Sequence, residues 1–325
     1  MTTRYRLAEL LADGRFRSGE WLGQQLGISR AAVWKKIATI RALGLDVQAV
    51  RGKGYRLTYP FVPLESNKII SRLSAPTALR LKAVDVFQEI DSTNDYLKRS
   101  AAVAGERPWR ACCAEWQHAG RGRRGRRWVS PYGGNLYLSL AGEVNGEALA
   151  SGGLSLAVAV TLLRILRKCG ADEPGLKWPN DIYSRGRKIA GTLVELAGES
   201  AGLFQIIIGV GINLRMSSAA ATAIDQPWTD LSQSGVDVDR NQLAASVIEE
   251  IMAAIDLYLN EGLRVFSDEW REYDLIAGRA VALRHGDDRT ISGIARGIDA
   301  NGALLIEYNG AVHPFHAGEV SVRLS

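Results

Sequence analysis

Nine consecutive residues, Gly120-Arg-Gly-Arg-Arg-Gly-Arg-Arg-Trp128, place five arginines and three glycines directly before an indole ring. Guanidinium groups are permanently charged forks that match phosphate and carboxylate oxygens, and glycine lets backbone N–H groups come close to a ligand. A loop of this composition can close around an anion. Taken alone, an arginine run is more often solvated surface or a nonspecific phosphate patch. The letters also satisfy Gly-x-Gly-x-x-Gly, but a dinucleotide fingerprint needs its glycines to open a helix after a strand, and Ser130-Pro131 follows here instead. No Gly-x-x-x-x-Gly-Lys-Ser/Thr run occurs, which excludes a P-loop.

Other chemistry-bearing groups fall at the boundaries of periodic segments. The pattern from Val84 to Ile90 predicts a strand, after which Asp91-Ser92-Thr93-Asn94 opens a helix through Ala104. A strand over Ala111–Trp116 feeds the arginine loop, and the chain returns through an alternating strand, Asn135–Leu140. An apolar helix is expected over Leu154–Cys169. Leu176-Lys177-Trp178 then leads to Pro179-Asn180-Asp181, and Arg187-Lys188-Ile189-Ala190-Gly191 opens a strand ending near Leu196. Another strand, Phe204–Val210, ends in Gly211-Ile212-Asn213. The pattern is α/β with polar groups collected at strand ends, where sites commonly lie. Beyond two helices, Leu243–Leu259 and Leu263–Tyr273, four short strands follow: Ala280–Arg284, Thr290–Arg296, Ala303–Glu307 and Ala311–Phe315. Turns at Gly286-Asp287-Asp288, Asn301-Gly302 and Asn309-Gly310 make this a small barrel.

The first 60 residues hold eleven Lys/Arg and four Asp/Glu, a balance of +7 within a total of +5. A basic module is joined to a nearly neutral body, and nucleic acid is its natural partner. Leu7, Leu10 and Leu11 have helical spacing; Ser18 can cap a second helix carrying Trp21, Leu22 and Leu26. After the turn Gly27-Ile28-Ser29, Ser29 caps a third helix with an inward stripe of Val33, Ile37 and Ile40, stopped by Gly44. Ala31, Ala32, Lys35 and Thr39 face away, small enough to approach a major groove as a recognition helix does. Trp34, at the edge of the stripe, reads as packing rather than base contact. Strands Asp46–Val50 and Tyr55–Thr58, joined by Arg51-Gly52-Lys53-Gly54, complete a winged helix-turn-helix pattern. Ser29, Arg30, Lys36, Arg51 and Lys53 join the outward set as expected DNA contacts. The competing reading is a three-helix protein-contact domain, against which the charge surplus counts.

The length of 325 residues predicts two or three domains, and 46% hydrophobic content fills real cores. No apolar stretch approaches a membrane span of about 20 residues, and Met-Thr-Thr-Arg-Tyr-Arg lacks a signal-peptide core, so a cytoplasmic location without membrane partners is expected. Cys112 and Cys113 are adjacent in a strand and point to opposite faces; with Cys169 they read as reduced core thiols. Cys112, Cys113, Cys169 and the four scattered histidines show no metal spacing.

In order and spacing, Ser92-Thr93-Asn94, Gly120–Trp128, Lys177–Asp181, Arg187–Gly191 and Gly209-Val-Gly-Ile-Asn213 resemble the biotin protein ligases. With its basic module the chain resembles the bifunctional bacterial branch, whose members also repress a biotin operon; the likeness runs from about residue 5 to the C-terminus. The resemblance implies an α+β chain with a winged helix-turn-helix over 1–64, a ligase domain related to class II synthetase and lipoate ligase folds over 65–276, and an SH3-like domain over 277–325. It also implies a two-step reaction: biotin and MgATP give biotinyl-5′-adenylate, then a lysine of the carrier protein of acetyl-CoA carboxylase takes the biotinyl group.

On this resemblance Lys188 bridges the biotin carboxylate and the α-phosphate, and Arg121, Gly122 and Arg123 wrap biotin and adenylate. Arg124 and Arg126 lie toward the triphosphate and Trp128 stacks on adenine. Ser92, Thr93, Asn94 and Gln117 suit the ureido ring, although Ser92 and Thr93 can equally be plain helix caps. Asn180, Asp181 and Asn213 are expected at the nucleotide, with Asp181 toward Mg²⁺ and able to assist proton loss from the carrier lysine. His118 stands where the family has glutamine, Gly134 where it has alanine, and Trp34 where a polar residue is expected. The operator-bound form is expected to be a homodimer, favoured by the adenylate. The alternatives are a lipoate or octanoate ligase, which needs a long apolar tunnel, a ligase whose DNA module is vestigial, and a purely regulatory ligand sensor, which would have lost Lys188 or the arginine loop.

Overall fold

The computed structural model describes residues 2–100, 109–145, 153–200, 203–217, 222–285, 290–317 and 320–324. Three helices, α1 (Thr3–Leu10), α2 (Gly19–Leu26) and α3 (Arg30–Ala42), precede the hairpin β1 (Val47–Val50) and β2 (Gly54–Leu57). Ser18 Oγ accepts from Trp21 N at 3.0 Å and Ser29 Oγ from Ala32 N at 3.2 Å, satisfying donors that the first helical turn leaves open. At the end of α3, Gly44 has φ 91°; its N–H reaches Arg41 O and that of Leu45 reaches Ile40 O, a Schellman closure. Val33, Ile37 and Ile40 are buried with Leu7, Leu11 and Leu22, each contributing about 1.5–3 kcal/mol of transfer free energy. A two-stranded hairpin is marginal alone. Here Arg17 and Tyr55 exchange backbone hydrogen bonds at 2.8 and 2.9 Å, adding a third chain segment beside the hairpin.

After α4 (Ser66–Ile70) and α5 (Ala75–Arg80), the central domain is built from β3 (Leu81–Phe87), α6 (Thr93–Ser100), β4 (Trp109–Ala114), β5 (Leu136–Asn145), α7 (Leu154–Lys168), β6 (Pro174–Lys177), β7 (Asp181–Ser184), β8 (Arg187–Ser200) and β9 (Leu203–Ile212). Helices α8 (Arg240–Glu261) and α9 (Arg264–Tyr273) follow. The seven strands run β3-β4-β5-β9-β8-β7-β6, antiparallel except for β3 and β4. Most of α7 is buried, as a helix apolar nearly all round must be, between the sheet and α8 and α9. The small α6 covers the other face, over Cys112, Ala141 and Ile207. The two adjacent cysteines do part: Cys112 lies under α6, Cys113 lies in the main core, and both are free thiols. Burial pushes the Cys113 thiol up to about 12.

The C-terminal strands β10 (Ala280–His285), β11 (Thr290–Ile298), β12 (Leu304–Tyr308), β13 (Ala311–Phe315) and β14 (Val320–Leu324) pair antiparallel in the order β13-β12-β11-β10-β14. Asn309 and Gly310 both have positive φ, the two-residue turn their types predict. The expected turn at 286–288 and the helix end at 101–104 lie outside the described residues. Val281, Leu283 and Leu304 belong to the same apolar cluster as the central domain, and Trp178 Nε1 donates to Gly302 O at 3.0 Å. No described helix is long and apolar enough to cross a membrane.

The basic module is fastened by Tyr132, four residues beyond the arginine loop. Its ring stacks on Tyr5 at 5.5 Å and meets Phe61 edge-on at 5.9 Å, while its N–H donates to Leu43 O at 2.9 Å. Beneath the connecting segment, Arg240 and Glu115 form a buried ion pair at 2.7 Å, with side-chain exposures of 6% and 0%. The remaining Glu115 oxygen accepts from Leu64 N at 2.6 Å, and Arg240 also donates to Asn135 O and Val62 O.

Candidate active site

The segment after β3 turns sharply into α6 because Asp91 Oδ1 accepts Ser92 N at 2.7 Å and Ser92 Oγ accepts Asp95 N at 3.4 Å. Ser92 is thus a helix cap, and it also lines a cavity of about 690 Å³ with Thr93, Asn94 and Gln117. Gln117 Oε1 accepts Thr93 N at 2.9 Å and Thr93 Oγ1 at 3.2 Å, and its Nε2 reaches Ser130 Oγ at 3.3 Å. Ser139 Oγ bridges Thr93 Oγ1 and Asn94 Oδ1, and Asn94 Nδ2 donates to Glu195 Oε2 at 2.8 Å. This end of the cavity is neutral and rich in hydrogen-bonding groups. Gly209 lets the Asn94 amide lie directly against β9, since a Cβ there would run into it.

The arginine loop folds back on itself. Trp128 N donates to Gly120 O at 2.8 Å, Gly122 N donates to Arg126 O at 2.7 Å, and a 3₁₀ turn spans Arg123–Gly125. Arg124 and Gly125 take positive φ values of 57° and 70° to make that turn. The arginines diverge. Arg121 pairs with Asp95 on α6 and approaches Glu195 at 3.6 Å, so its guanidinium is directed at carboxylates beside the cavity. Burial opposes ionisation of Glu195, but hydrogen bonding from Asn94 and the charges of Arg121 and Lys98 hold its carboxyl below the ordinary value. Arg123 donates to Ala317 O and Arg124 approaches Arg284 O at 3.5 Å, tying the loop to the C-terminal domain. Burial lowers the Arg123 pKa from the usual guanidinium range; Asp181 opposes this while Arg124 and Arg126 reinforce it.

Lys188 enters from the opposite wall. The register between β7 and β8 shifts between Ile182 and Tyr183, a bulge of the kind that re-aims side chains. Lys188 N donates to Pro227 O at 3.1 Å and Lys188 O accepts from Thr229 N at 2.9 Å, which locks the backbone. Its Nζ lies 2.7 Å from Asp181 Oδ1 and 5.3 Å from the centre of the Trp128 ring. Trp128 lies against Gly211, where a Cβ would come within 2.5 Å of the ring, and its Nε1 is a buried donor with no protein partner. Asn180 lines the cavity but gives its amide to Thr192 O. Asn213 does not line it: its side chain donates to Thr229 O at 3.1 Å, which makes it a clamp on the segment holding Lys188.

The cavity therefore unites Ser92, Thr93, Asn94, Gln117, Arg121–Arg124, Arg126, Trp128, Asn180, Asp181 and Lys188. Sequence reading missed Asp95 and Glu195, which hold Arg121, and Tyr183, whose hydroxyl burial pushes up to about 12. It also missed Val322, brought to the cavity by β14. The glycines at 209 and 211, one strand period apart, were a legible signal of a strand face approached closely by other groups, here Asn94 and Trp128.

The second polar surface is the winged module. Arg30, Ala31, Lys35 and Thr39 are exposed on α3, Ala32 and Lys36 half-buried, and Ser29, Arg51 and Lys53 exposed. The reading of Trp34 as packing is corrected: it is 67% exposed, because its position projects outside the Val33-Ile37-Ile40 stripe.

Residues 86–213 match the Biotin/lipoate A/B protein ligase family, residues 3–56 an HTH domain, and residues 276–323 the Biotin protein ligase C terminal domain. Over 322 residues the chain is 45% identical to the bifunctional ligase/repressor BirA of Salmonella typhimurium, covering 99% of this chain and 98% of that one. The chain belongs to the bifunctional biotin protein ligases. It is also 33% identical to the biotin–[acetyl-CoA-carboxylase] ligase of Mycobacterium tuberculosis over 244 residues, 74% of this chain and 88% of that one. Among solved structures, the biotin protein ligase from Aquifex aeolicus in complex with biotin and ATP superimposes with a TM-score of 0.62 at 27% identity, covering 75% of this chain and all of that one. In this biotin protein ligase, each of the five motifs that carried the resemblance contributes residues to one cavity, while Asn213 lies outside its lining.

Proposed function

We propose that the cavity activates biotin with ATP and that the same chain, through its winged module, represses biotin-synthesis genes. The observation that carries this is a lysine ammonium and an arginine loop placed beside a neutral, hydrogen-bonding pocket in one 690 Å³ cavity. In the first step a carboxylate oxygen of biotin attacks the α-phosphorus and the bond to pyrophosphate breaks. Both reactants are anionic, so the barrier is repulsion, which preorganised cations in a water-poor site offset. Lys188 supplies the point charge between them; Arg121, Gly122 and Arg123 enclose the adenylate; Arg124 and Arg126 face the leaving pyrophosphate. The ureido ring sits at Ser92, Thr93, Asn94 and Gln117, and Trp128 stacks on adenine. Asn180 and Asn213 act by fixing Thr192 and Thr229.

In the second step a carrier lysine attacks the biotinyl carbonyl carbon and AMP leaves. Asp181, 2.7 Å from Lys188, is placed to take the amine proton. Among the described residues no cluster of three ligating side chains could hold a metal. The single carboxylate of Asp181 suits a Mg²⁺ that arrives on the triphosphate, where the ion offsets phosphate charge when bound. The test of ligation is mass spectrometry of a purified biotin carrier domain: with biotin and ATP its mass should rise by one biotinyl group, on one lysine.

The domain limits that best serve this reading are 1–64, 65–276 and 277–325. One winged module reads one half-site, so repression calls for a homodimer on a palindromic operator. Adenylate binding that fixes the loop is linked to dimerisation, and sedimentation should show a smaller dimer dissociation constant with biotinyl-adenylate than without it. An unchanged constant contradicts that link.

Two smaller effects follow. Gly211→Ala should displace the Trp128 ring and raise the KM for ATP about tenfold while leaving that for biotin within about twofold, since a stacked base is worth about 1–3 kcal/mol. Lys53→Ala should reduce the slope of log affinity against log salt by about 0.9 if the wing tip neutralises one phosphate. Fluorescence anisotropy at several salt concentrations measures it.

A further inference from the structure

Of the eight tryptophans in the chain, Trp34 alone is exposed, at 67%, whereas Trp109, Trp178 and Trp270 are buried and the rest half-buried. Single apolar residues on a surface are ordinary. This one lies on α3, the helix after the turn of the helix-turn-helix, on a solvent-facing flank about a quarter turn round from the Val33, Ile37 and Ile40 stripe. Ala31, Trp34, Lys35 and Ala38 share that face at i, i+3, i+4 and i+7 spacing, and all four are exposed. Two alanines leave the indole standing proud of the helix. Arg30 lies one helical turn before it at i, i+4 spacing, and Lys35, Arg51 and Lys53 are further exposed cations of the same module. A hydrophobic protein partner matches so basic a module poorly, and a duplex matches it well.

Resting on the reading of residues 1–64 as a DNA-binding module, we infer that Trp34 is a sequence-reading residue that packs its ring on a thymine C5-methyl in the major groove. The thymine methyl is the one apolar feature of the base edges there, and the indole N–H is a donor that suits a neighbouring base acceptor. Lys35, Arg51 and Lys53 supply affinity without sequence information, and the indole adds discrimination.

The test starts from a random duplex pool, from which the full chain, given biotin and ATP, selects its preferred sequence. Trp34→Ala should bind the selected duplex at least tenfold more weakly, bind a scrambled duplex as the wild type does, and keep the same salt slope. Replacing one thymidine of the selected site with deoxyuridine, which removes only the methyl, should weaken the wild type several-fold and leave Trp34→Ala unaffected. Equal losses on selected and scrambled duplexes, or no thymidine position with this sensitivity, overturn the inference. So does loss of DNA-free self-association in Trp34→Ala, which would assign the indole to a second copy. A wild-type chain that enriches no sequence overturns the DNA-binding reading itself; a Lys53→Ala effect with no Trp34→Ala effect sinks only the inference.

Discussion

Lys188→Ala is expected to lower biotin-dependent pyrophosphate–ATP exchange by about 10²–10³-fold, the loss seen when one preorganised charge-stabilising donor is removed, about 2.7–4 kcal/mol. The side chain is 13% exposed, its Nζ is 2.7 Å from Asp181, and its backbone is fixed on both sides by Pro227 and Thr229. Those backbone bonds do not depend on the side chain, so the variant should fold and keep the segment in place. On the proposed mechanism it loses the cation between two anions, and it leaves Asp181 without its partner, to add repulsion of its own. The effect should therefore fall on kcat more than on the KM for biotin, because the proposed ring site at Thr93 and Gln117 is left untouched. Lys188→Arg should not restore the rate, because a planar fork cannot occupy the position of a compact ammonium beside Asp181 and the Trp128 ring. A Lys188→Ala rate within tenfold of wild type would remove this lysine from the chemistry.

The largest stability effect is expected at Arg240. Its guanidinium and Glu115 are almost wholly enclosed, and removing one partner of a buried pair costs about 3–5 kcal/mol because the other charge is stranded. Arg240→Ala also releases the carbonyls of Asn135 and Val62, so the link between the basic module and α8 loosens with the core. Urea unfolding should show the loss at low and high salt alike, since a buried pair is poorly screened. Adding Glu115→Gln to Arg240→Ala should recover part of it, the coupling expected of residues in contact. Exposed pairs such as Arg271 and Asp268, in contrast, should change stability by no more than about 1 kcal/mol when broken.

The elements were legible where one local force dominates. Ser18, Ser29 and Gly44 cap and stop helices by their own chemistry, and the alternation that sent Cys112 and Cys113 to opposite faces is a property of any strand. The cavity was legible as motifs, because glycines and cations at strand ends have few structural uses. Contacts fixed by the tertiary fold were not. Nothing near Asp95 or Glu195 in the chain says that Arg121 will turn to them, across 26 residues in one case. Asn213 sits in a motif, yet burial converts it from a ligand contact into a clamp on Thr229. Trp34 misled because its size and apolarity argue for packing, whereas its angle on the helix places it in solvent. Tyr132 reads as one more aromatic after a proline, and only the docked module shows that it stacks on Tyr5.

The central claim is that Lys188 and the arginine loop activate biotin and not a fatty or lipoyl acid. Exchange of labelled pyrophosphate into ATP by the wild-type chain tests it most directly. The predicted result is exchange that requires biotin and is not supported by lipoate or octanoate, because the cavity is lined at one end by the polar Ser92, Thr93 and Gln117, the groups proposed for the ureido ring, where a lipoyl or fatty acid needs an apolar tunnel. Exchange with lipoate and none with biotin would contradict it.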